Sequence, residues 1–355
     1  MNKKQSEVDI RYDEPMKDHT TFKVGGPADC YVCPSDKIFA SFCADLLNRA
    51  KKAEIPVFIL GGGANIVVSD NGIRGIVLDS GGWKGEMAGD PLQITTKLPA
   101  HEEELILKSG TTLDGAANIA AGKGLSGLEF LAGMPGTIGG AVWMNARCYG
   151  KEMADVLKWV EVIVREQITE KNEYVVKKLD IINRRIPDSQ LPVSDFRLPA
   201  PDSFDYKQSP FQKMDCLILS AAFRLEKGSK EKISAEMEKN IKDRRDKGHY
   251  LFPCAGSVFK NNRDFGKPAG QIIDELGLKG YQIGGARIAP FHGNFIINTG
   301  NASSADIRAL VNHITAKVNA SLGFMPEPEI IFVGDDNPEN AQSLKKKLKQ
   351  FIILP

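Results

Sequence analysis

Two glycine-rich stretches are where this chain can do chemistry with its backbone. Leu60-Gly61-Gly62-Gly63-Ala64-Asn65 lies between two strand-like runs, and its glycines let the backbone take positive φ and bring N–H groups close to a ligand. Successive N–H groups in a tight turn form an anion-binding concavity, for which a pyrophosphate is the natural guest. Taken alone, such a turn is more often just a turn. It is not a P-loop, because no Gly-Lys-Ser/Thr follows, and no helix opens there as a dinucleotide fingerprint requires. The second stretch runs from Gly124 through Gly127, Gly133, Pro135, Gly136, Thr137, Gly139, Gly140 and Ala141 to Asn145. Leu128, Phe130, Leu131 and Ile138 are interleaved, which a disordered linker would lack. The stretch therefore reads as a packed loop whose backbone approaches something closely, with a tight domain junction as the competing reading.

The remaining reactive side chains say less on their own. Cys30-x-x-Cys33 lies in a strand-like segment, and no second Cys or Cys/His pair completes a zinc site, so no metal is expected. Six cysteines scattered through a large chain fit free thiols in a reducing compartment, hence a cytoplasmic location. His292 has no paired acid or nucleophile nearby in sequence and reads as structural. The basic run Lys345–Lys347 reads as a solvated terminal helix or tail.

The elements that must position these stretches read as α/β at first. Ala28–Cys33 is a strand, Asp36–Lys52 an amphipathic helix with Ile38, Phe39, Phe42, Leu46 and Leu47 on one stripe, and Asn65–Ser69 and Ile73–Leu78 are strands. A second region holds strand-like stretches at Leu92–Lys97, Leu105–Leu107, Trp159–Arg165, Tyr174–Lys177 and Cys216–Leu225, and a helix Leu113–Ala121 closed by Gly122. Asn183–Asp202 reads as a long irregular loop. A third region carries Ile233, Met237 and Ile241 on one face of a charged helix, a short helix Ala269–Leu276, and a capping box Ser303-x-x-Asp306 opening a helix with the stripe Ile307, Leu310, Val311, Ile314 and Val318. At 355 residues, 42% apolar and 26% charged, the chain can bury a large core in two or three domains. A formal charge of +1 argues against a nucleic-acid or membrane-surface binder. Apolar runs such as Leu217–Phe223 are too short to span a bilayer, and the polar segment Met1–Asp13 predicts no signal peptide.

Seven blocks together carry a resemblance. His19–Ala28, Gly61–Val68, Gly127–Asn145, Ala255–Asn261, Ile272–Gly285, Asn294–Asn301 and Glu327–Ile330 stand in the order found in UDP-N-acetylenolpyruvoylglucosamine reductases, over roughly residues 19–334. The spacing in the last third resembles the second type of that family, which lacks an extra tyrosine-bearing loop. The resemblance implies an α+β fold: a vanillyl-alcohol-oxidase-like two-part FAD-binding domain (1–80 and 81–226), a smaller α/β substrate-binding domain (227–334) and a tail (335–355). It implies bound FAD, NADPH as cosubstrate, a UDP-sugar substrate and reduction of its enolpyruvyl group on the route to peptidoglycan, without nucleic acid or membrane insertion. Oligomeric state stays open.

By resemblance, Gly61, Gly62, Gly63, Ala64 and Asn65, with Gly133, Pro135, Gly136, Thr137, Gly139, Gly140 and Ala141, line the FAD pyrophosphate and adenosine. In the family NADPH reduces the flavin and leaves, the substrate takes its place, hydride passes to the terminal methylene, and a serine protonates the neighbouring carbon. Ser257 matches that serine, and Glu329, chosen over Glu327 because it directly precedes the aliphatic residue of the last strand, matches the catalytic glutamate. The family carries Tyr-Arg-x-Ser, whose arginine clamps the substrate carboxylate; here Tyr206 is followed by Lys207, which keeps the charge but loses the bidentate fork. Arg185 and Arg197 are possible compensating cations. Lys247, Lys260 and Asn261 match substrate-side positions, with Arg245 beside them. The family's Asn-Ala-Gly-Ala-Tyr-Gly reads Asn145-Ala146-Arg147-Cys148-Tyr149-Gly150. The alternatives are another oxidoreductase on the same scaffold, which needs neither Ala255–Asn261 nor Glu327–Ile330, and a non-catalytic flavin-binding module, which Lys207 would suit.

Overall fold

A computed structural model describes residues 7–87, 101–168, 171–181, 204–334 and 341–353. The chain opens with β1 (Val8–Pro15), β2 (Pro27–Pro34), β3 (Val57–Leu60), β4 (Ile66–Val68) and β5 (Ile73–Asp79). Four of these form one sheet in the order β1-β2-β5-β3, antiparallel between β1 and β2 and parallel thereafter. Helix α1 (Phe39–Lys52) covers it, burying Phe39, Cys43, Leu46, Leu47 and Ala50 at helical spacing. Phe42, expected on the stripe, is only partly buried. The first glycine turn is the link from β3 to β4.

The second region is an antiparallel sheet, β11-β10-β12-β6, of β6 (Glu102–Lys108), β10 (Leu157–Ile168), β11 (Lys171–Asp180) and β12 (Cys216–Lys227). Between β6 and β10 come α2 (Leu113–Lys123), β7 (Leu125–Ser126), α3 (Ile138–Met144), β8 (Arg147–Cys148), β9 (Lys151–Glu152) and α4 (Met153–Val156). Thr112 caps α2 by accepting from the Gly115 N–H, and Gly124 ends it at φ 70. Gly122, expected to close the helix, lies inside it, because the left-handed residue that satisfies the last carbonyls comes two positions later. Leu113, Ala116, Ala117 and Ala120 of α2 and Ile138 and Val142 of α3 share a core with Val160, Val162, Ala221 and Phe223 of the sheet. The expected strand Leu92–Lys97 and loop Asn183–Asp202 lie outside the described residues, as do Arg185 and Arg197.

Helix α5 (Lys230–Asp246) buries Ile233 and Met237 in that same core, with Ile241 partly buried against it. Beyond it stand α6 (Ala269–Glu275), a small antiparallel sheet β13 (Gln282–Ile283), β14 (Ala286–Ile288), β15 (Ile296–Asn298), and α7 (Ser304–Leu322). Ser303 and Asp306 form the expected capping box, and Ile307, Leu310, Val311, Ile314 and Val318 are buried as the spacing predicts. The chain then returns: β16 (Ile331–Val333) pairs in parallel with β4, Ile331 beside Ile66 and Val333 beside Val68.

The tail departs from expectation. Residues Ala341–Ile353 form α8, with Leu348 fully buried and Leu344 and Phe351 packed on the α1–sheet core. Lys345 pairs with Asp13, and Arg49 lies over the Phe351 ring at 4.9 Å. The basic run is one face of an amphipathic helix whose apolar face, Leu344, Leu348 and Phe351 at i, i+4 and i+7, is docked. Among the described residues, no helix is long and apolar enough to cross a membrane.

Candidate active site

The two glycine stretches meet. A Cβ on Gly62 would lie 2.6 Å from Gly136 Cα, and one on Gly61 would lie 2.8 Å from Thr137 Oγ1 and 3.7 Å from Gly140 Cα. Gly63 turns at φ +60 under the backbone of His19, where a Cβ would come 2.0 Å from the carbonyl oxygen, and its own carbonyl accepts from the Thr21 N–H. The block containing His19 thus forms the floor of the first turn. The N–H groups of Gly62, Gly63 and Ala64 have no protein acceptor among the described residues, and Thr137 Oγ1 is buried without a hydrogen-bond partner. A buried hydroxyl of this kind needs a polar partner. A cradle of close-packed glycine backbone with unspent donors and a hydroxyl suits the pyrophosphate of a dinucleotide such as FAD.

The rest of the second stretch fixes this cradle from below. Gly139 lies over Ser109, donating its N–H to the Ser109 carbonyl, and Ala141 is buried in the first turn of α3. Gly133, at φ +70, donates to Asp114 Oδ1 and accepts from the Tyr250 hydroxyl. Pro135 sits in the link between Gly133 and Gly136.

At the other end of α3, Asn145 is fully buried at φ 47. Its Nδ2 donates to the Asp205 carbonyl at 2.9 Å, and its Oδ1 accepts from the Ala154 N–H. Asp205 and Gln208 bridge each other, so residues 205–208 form a tight turn that holds Lys207 at φ 59. Tyr206 faces Arg147, whose guanidinium carbon is 5.7 Å from the ring centre. Lys207 Nζ reaches Glu329 Oε1 at 2.6 Å, with the two side chains 14% and 11% exposed.

Glu329 is bonded on both sides by its backbone. Its N–H donates to the Val258 carbonyl at 2.7 Å, and its carbonyl accepts from Asn65 Nδ2 at 3.0 Å. Ser257 is next to Val258 and pairs with Phe295 on its far side. The first glycine turn, the Ser257 segment, Glu329 and Lys207 therefore meet at one place. Glu327 instead points outward at 69% exposure, paired with Lys260 at 2.6 Å.

Residues 247–333 match the family model described as UDP-N-acetylenolpyruvoylglucosamine reductase, C-terminal domain, and residues 29–166 match that of an FAD binding domain. UDP-N-acetylenolpyruvoylglucosamine reductase of Treponema denticola is 37% identical over 338 residues, covering 92% of this chain and 94% of its own. That of Borreliella burgdorferi is 36% identical over 319 residues, covering 90% and 93%. The crystal structure of UDP-N-acetylenolpyruvylglucosamine reductase from Thermus caldophilus aligns with a TM-score of 0.63 at 31% identity, covering 92% of this chain and 98% of that one. The chain belongs to this reductase family. Its α+β architecture is a vanillyl-alcohol-oxidase-like FAD-binding fold joined to the family's C-terminal domain.

The reductase's other expected residues are spread more widely. Asn261 Oδ1 accepts from the Ala269 N–H and so caps α6. Lys247 stands exposed at the end of α5, paired with Asp243 at 2.7 Å. His292 accepts at Nδ1 from the Asn294 N–H and stacks on Phe295 at 4.1 Å, as suits a structural histidine. His249 meets the same ring edge-on at 4.6 Å, and burial pushes it down to about 4. The six cysteines are free, and no metal-binding cluster occurs among the described residues. Sequence reasoning overlooked two tyrosine clasps. Tyr149 donates to the Asn240 carbonyl and Asp243 Oδ2, and Tyr250 donates to the Gly133 carbonyl. Each joins α5 or its exit to the glycine-rich region, and no local pattern announces such long-range hydroxyl contacts.

Proposed function

We infer that this chain is an FAD-dependent oxidoreductase that uses NADPH to reduce UDP-N-acetylglucosamine enolpyruvate to UDP-N-acetylmuramate in peptidoglycan synthesis. One observation carries the reading: Asn65 of the glycine cradle is bonded to Glu329, which is bonded to the strand of Ser257 and paired with Lys207. Cofactor cradle and candidate catalytic groups are thus one hydrogen-bonded unit.

FAD, when bound, supplies the hydride chemistry. Gly61–Asn65 and Gly133–Ala141 hold its phosphates and adenosine through backbone. Lys207 provides the positive charge that orients the substrate carboxylate and balances the charge developing beside it. Ser257 gives its proton to the carbon next to the one that has received hydride; a weak acid suffices because that carbon is then strongly basic. Glu329, held by its backbone on both sides, hydrogen-bonds the developing enol oxygen. Tyr206, Lys247, Lys260 and Asn261 belong to the substrate side in this reading, Asn261 by fixing α6. We take residues 1–80 and 81–226 as the FAD-binding part, 227–334 as the substrate domain and 335–355 as the tail. A cytoplasmic location fits free thiols and a UDP-sugar substrate.

The test is anaerobic. NADPH should bleach the yellow protein, and adding the UDP-enolpyruvyl sugar should restore flavin absorbance. Reoxidation by simple alcohols' carbonyl products but not by this sugar would favour another oxidoreductase; none by the sugar would leave a flavin-binding module.

A further inference from the structure

Arg244 carries a charge that no carboxylate pairs with among the described residues. It lies in the last turn of α5 and is 6% exposed. Its Nε is buried without a hydrogen-bond partner, and its Nη2 has only the weak acceptor Cys148 Sγ at 3.6 Å. No carboxylate ion-pairs with it among the described residues; the adjacent Asp243 is engaged by Lys247 and Tyr149. An unpaired buried guanidinium is strongly unfavourable, so a fold that keeps one has a use for it.

The surroundings indicate the use. Tyr149 and Tyr250 clasp α5 and its exit onto the glycine-rich region, and Arg244 is held between them. A Cβ on Gly133 would lie 3.4 Å from Arg244 Cδ. The Arg244 side chain therefore runs beside the second glycine stretch, which also holds the unpartnered Thr137 hydroxyl. Arg245 is exposed and Lys247 is exposed and paired. Of the basic residues at this end of α5, Arg244 is the one turned inward.

We propose that Arg244 is the counter-charge for a nucleotide diphosphate, and that the diphosphate is that of FAD. The proposal rests on the flavoenzyme reading above. A guanidinium presents a planar fork of N–H donors that matches phosphate oxygens two at a time. The UDP-sugar and NADPH also carry diphosphates. The stem packs on Gly133 at Cδ and the Nη2 reaches Cys148, so the side chain lies along the glycine stretch that holds the cofactor, and on that packing the diphosphate is assigned to FAD.

The experiment compares Arg244→Met and Arg244→Lys with wild type, using the full-length holoenzyme. FAD affinity is read from flavin released on dilution and ultrafiltration, and melting temperature is read with and without added FAD. Substrate affinity is read from the flavin spectrum at saturating FAD. Arg244→Met should bind FAD roughly 10- to 100-fold more weakly, the loss of a charge-assisted hydrogen-bonded pair, with Arg244→Lys between the two. Substrate affinity should be unchanged. The FAD-stripped Arg244→Met protein should melt no lower than stripped wild type, because an unpaired buried charge has been removed. Unchanged FAD affinity with weakened substrate binding would overturn the assignment to FAD. Unchanged FAD affinity with a lower stripped melting temperature would make the arginine a structural prop and end the proposal. If Arg244→Met does not fold, Arg244→Lys decides, since an ammonium without the fork should still lose FAD affinity. A wild-type protein that binds no FAD would instead defeat the functional reading itself.

Discussion

Lys207→Ala is the sharpest test of how the reductase handles its substrate carboxylate. The Nζ of Lys207 stands 2.6 Å from Glu329, and both side chains are nearly buried at 14% and 11% exposure. Removing the ammonium takes away one charge-assisted contact to the substrate, about 1.5–3 kcal/mol, or roughly 10- to 150-fold in kcat/KM. It also leaves Glu329 without its partner, which costs about 1–3 kcal/mol of stability. These two effects can be separated, because Lys207 sits at φ 59, where any L side chain is strained. Glycine relieves that strain by about 1–2 kcal/mol. Lys207→Gly should therefore melt higher than Lys207→Ala while losing the same activity. Lys207→Arg restores the fork and should keep or raise turnover. Steady-state NADPH oxidation gives kcat/KM, and anaerobic stopped-flow separates the half-reactions. Flavin reduction by NADPH should be unchanged in all three variants, and reoxidation by substrate slowed in the Ala and Gly variants. If Lys207→Ala turns over as wild type, or if both half-reactions slow together, Lys207 does not act on the substrate carboxylate.

Ser257→Ala should lower kcat by about 10²–10⁴-fold, the range for a missing general acid, while stopped-flow shows normal reduction by NADPH. Gly62→Ala would place a Cβ 2.6 Å from Gly136 Cα, so the two loops must part; the purified protein should carry far less flavin per chain, read from its absorbance ratio. His249 is held down to about 4 chiefly by its burial, with the nearby Arg244 charge adding to it. The unfolded chain therefore takes up a proton near pH 6.5 that the native state resists, and stability falls as pH drops from about 6.5 to 4. His249→Phe should flatten that acid limb in a melting-temperature series. Leu348→Ala in α8 should cost about 2–5 kcal/mol in denaturant unfolding without changing kcat, since Leu348 is fully buried in the α1–sheet core, which contains none of the candidate catalytic residues.

Much of this could be read from the chain before the fold was seen. The α7 stripe and its Ser303/Asp306 capping box are local patterns, and local patterns survive folding. The second glycine stretch announced close backbone approach because interleaved apolar residues argued against a linker, whereas the first, taken alone, read as an ordinary turn. What could not be read were the long-range facts. A run of lysines after residue 344 looks solvated until the sheet that receives Leu344, Leu348 and Phe351 is known. Likewise, nothing in Asp243-Arg244-Arg245 says which arginine turns inward; that depends on Ile233 and Met237 docking α5 onto a core built a hundred residues earlier. Nor does the spacing of Glu327 and Glu329 show that one faces Lys207 and the other Lys260. Alternation along an extended segment would put both on one side, yet Glu329 meets the nearly buried Lys207 while Glu327, 69% exposed, meets Lys260.

The architecture also explains why the candidate site needs both ends of the chain. The first glycine turn leads directly into β4, and β4 pairs with β16 rather than joining the sheet formed by its sequence neighbours. That pairing sets Asn65 against Glu329, because Ile331 donates its N–H to the Asn65 carbonyl while Asn65 Nδ2 reaches back to the Glu329 carbonyl. Helix α3 makes the complementary link, since its start lies against the first glycine turn and its αL end at Asn145 anchors the turn of Lys207. Distance from cradle to ammonium is therefore governed by a helix of two turns, and distance from cradle to carboxylate by two hydrogen bonds. Both are short and stiff, as a site that must align a hydride donor with a proton donor requires. Asn65→Leu tests this directly. It removes the side-chain bond while leaving Lys207 and Ser257 in place, and it should slow reoxidation by substrate more than it weakens FAD binding. Equal loss of both would mean that Asn65 serves only the cofactor.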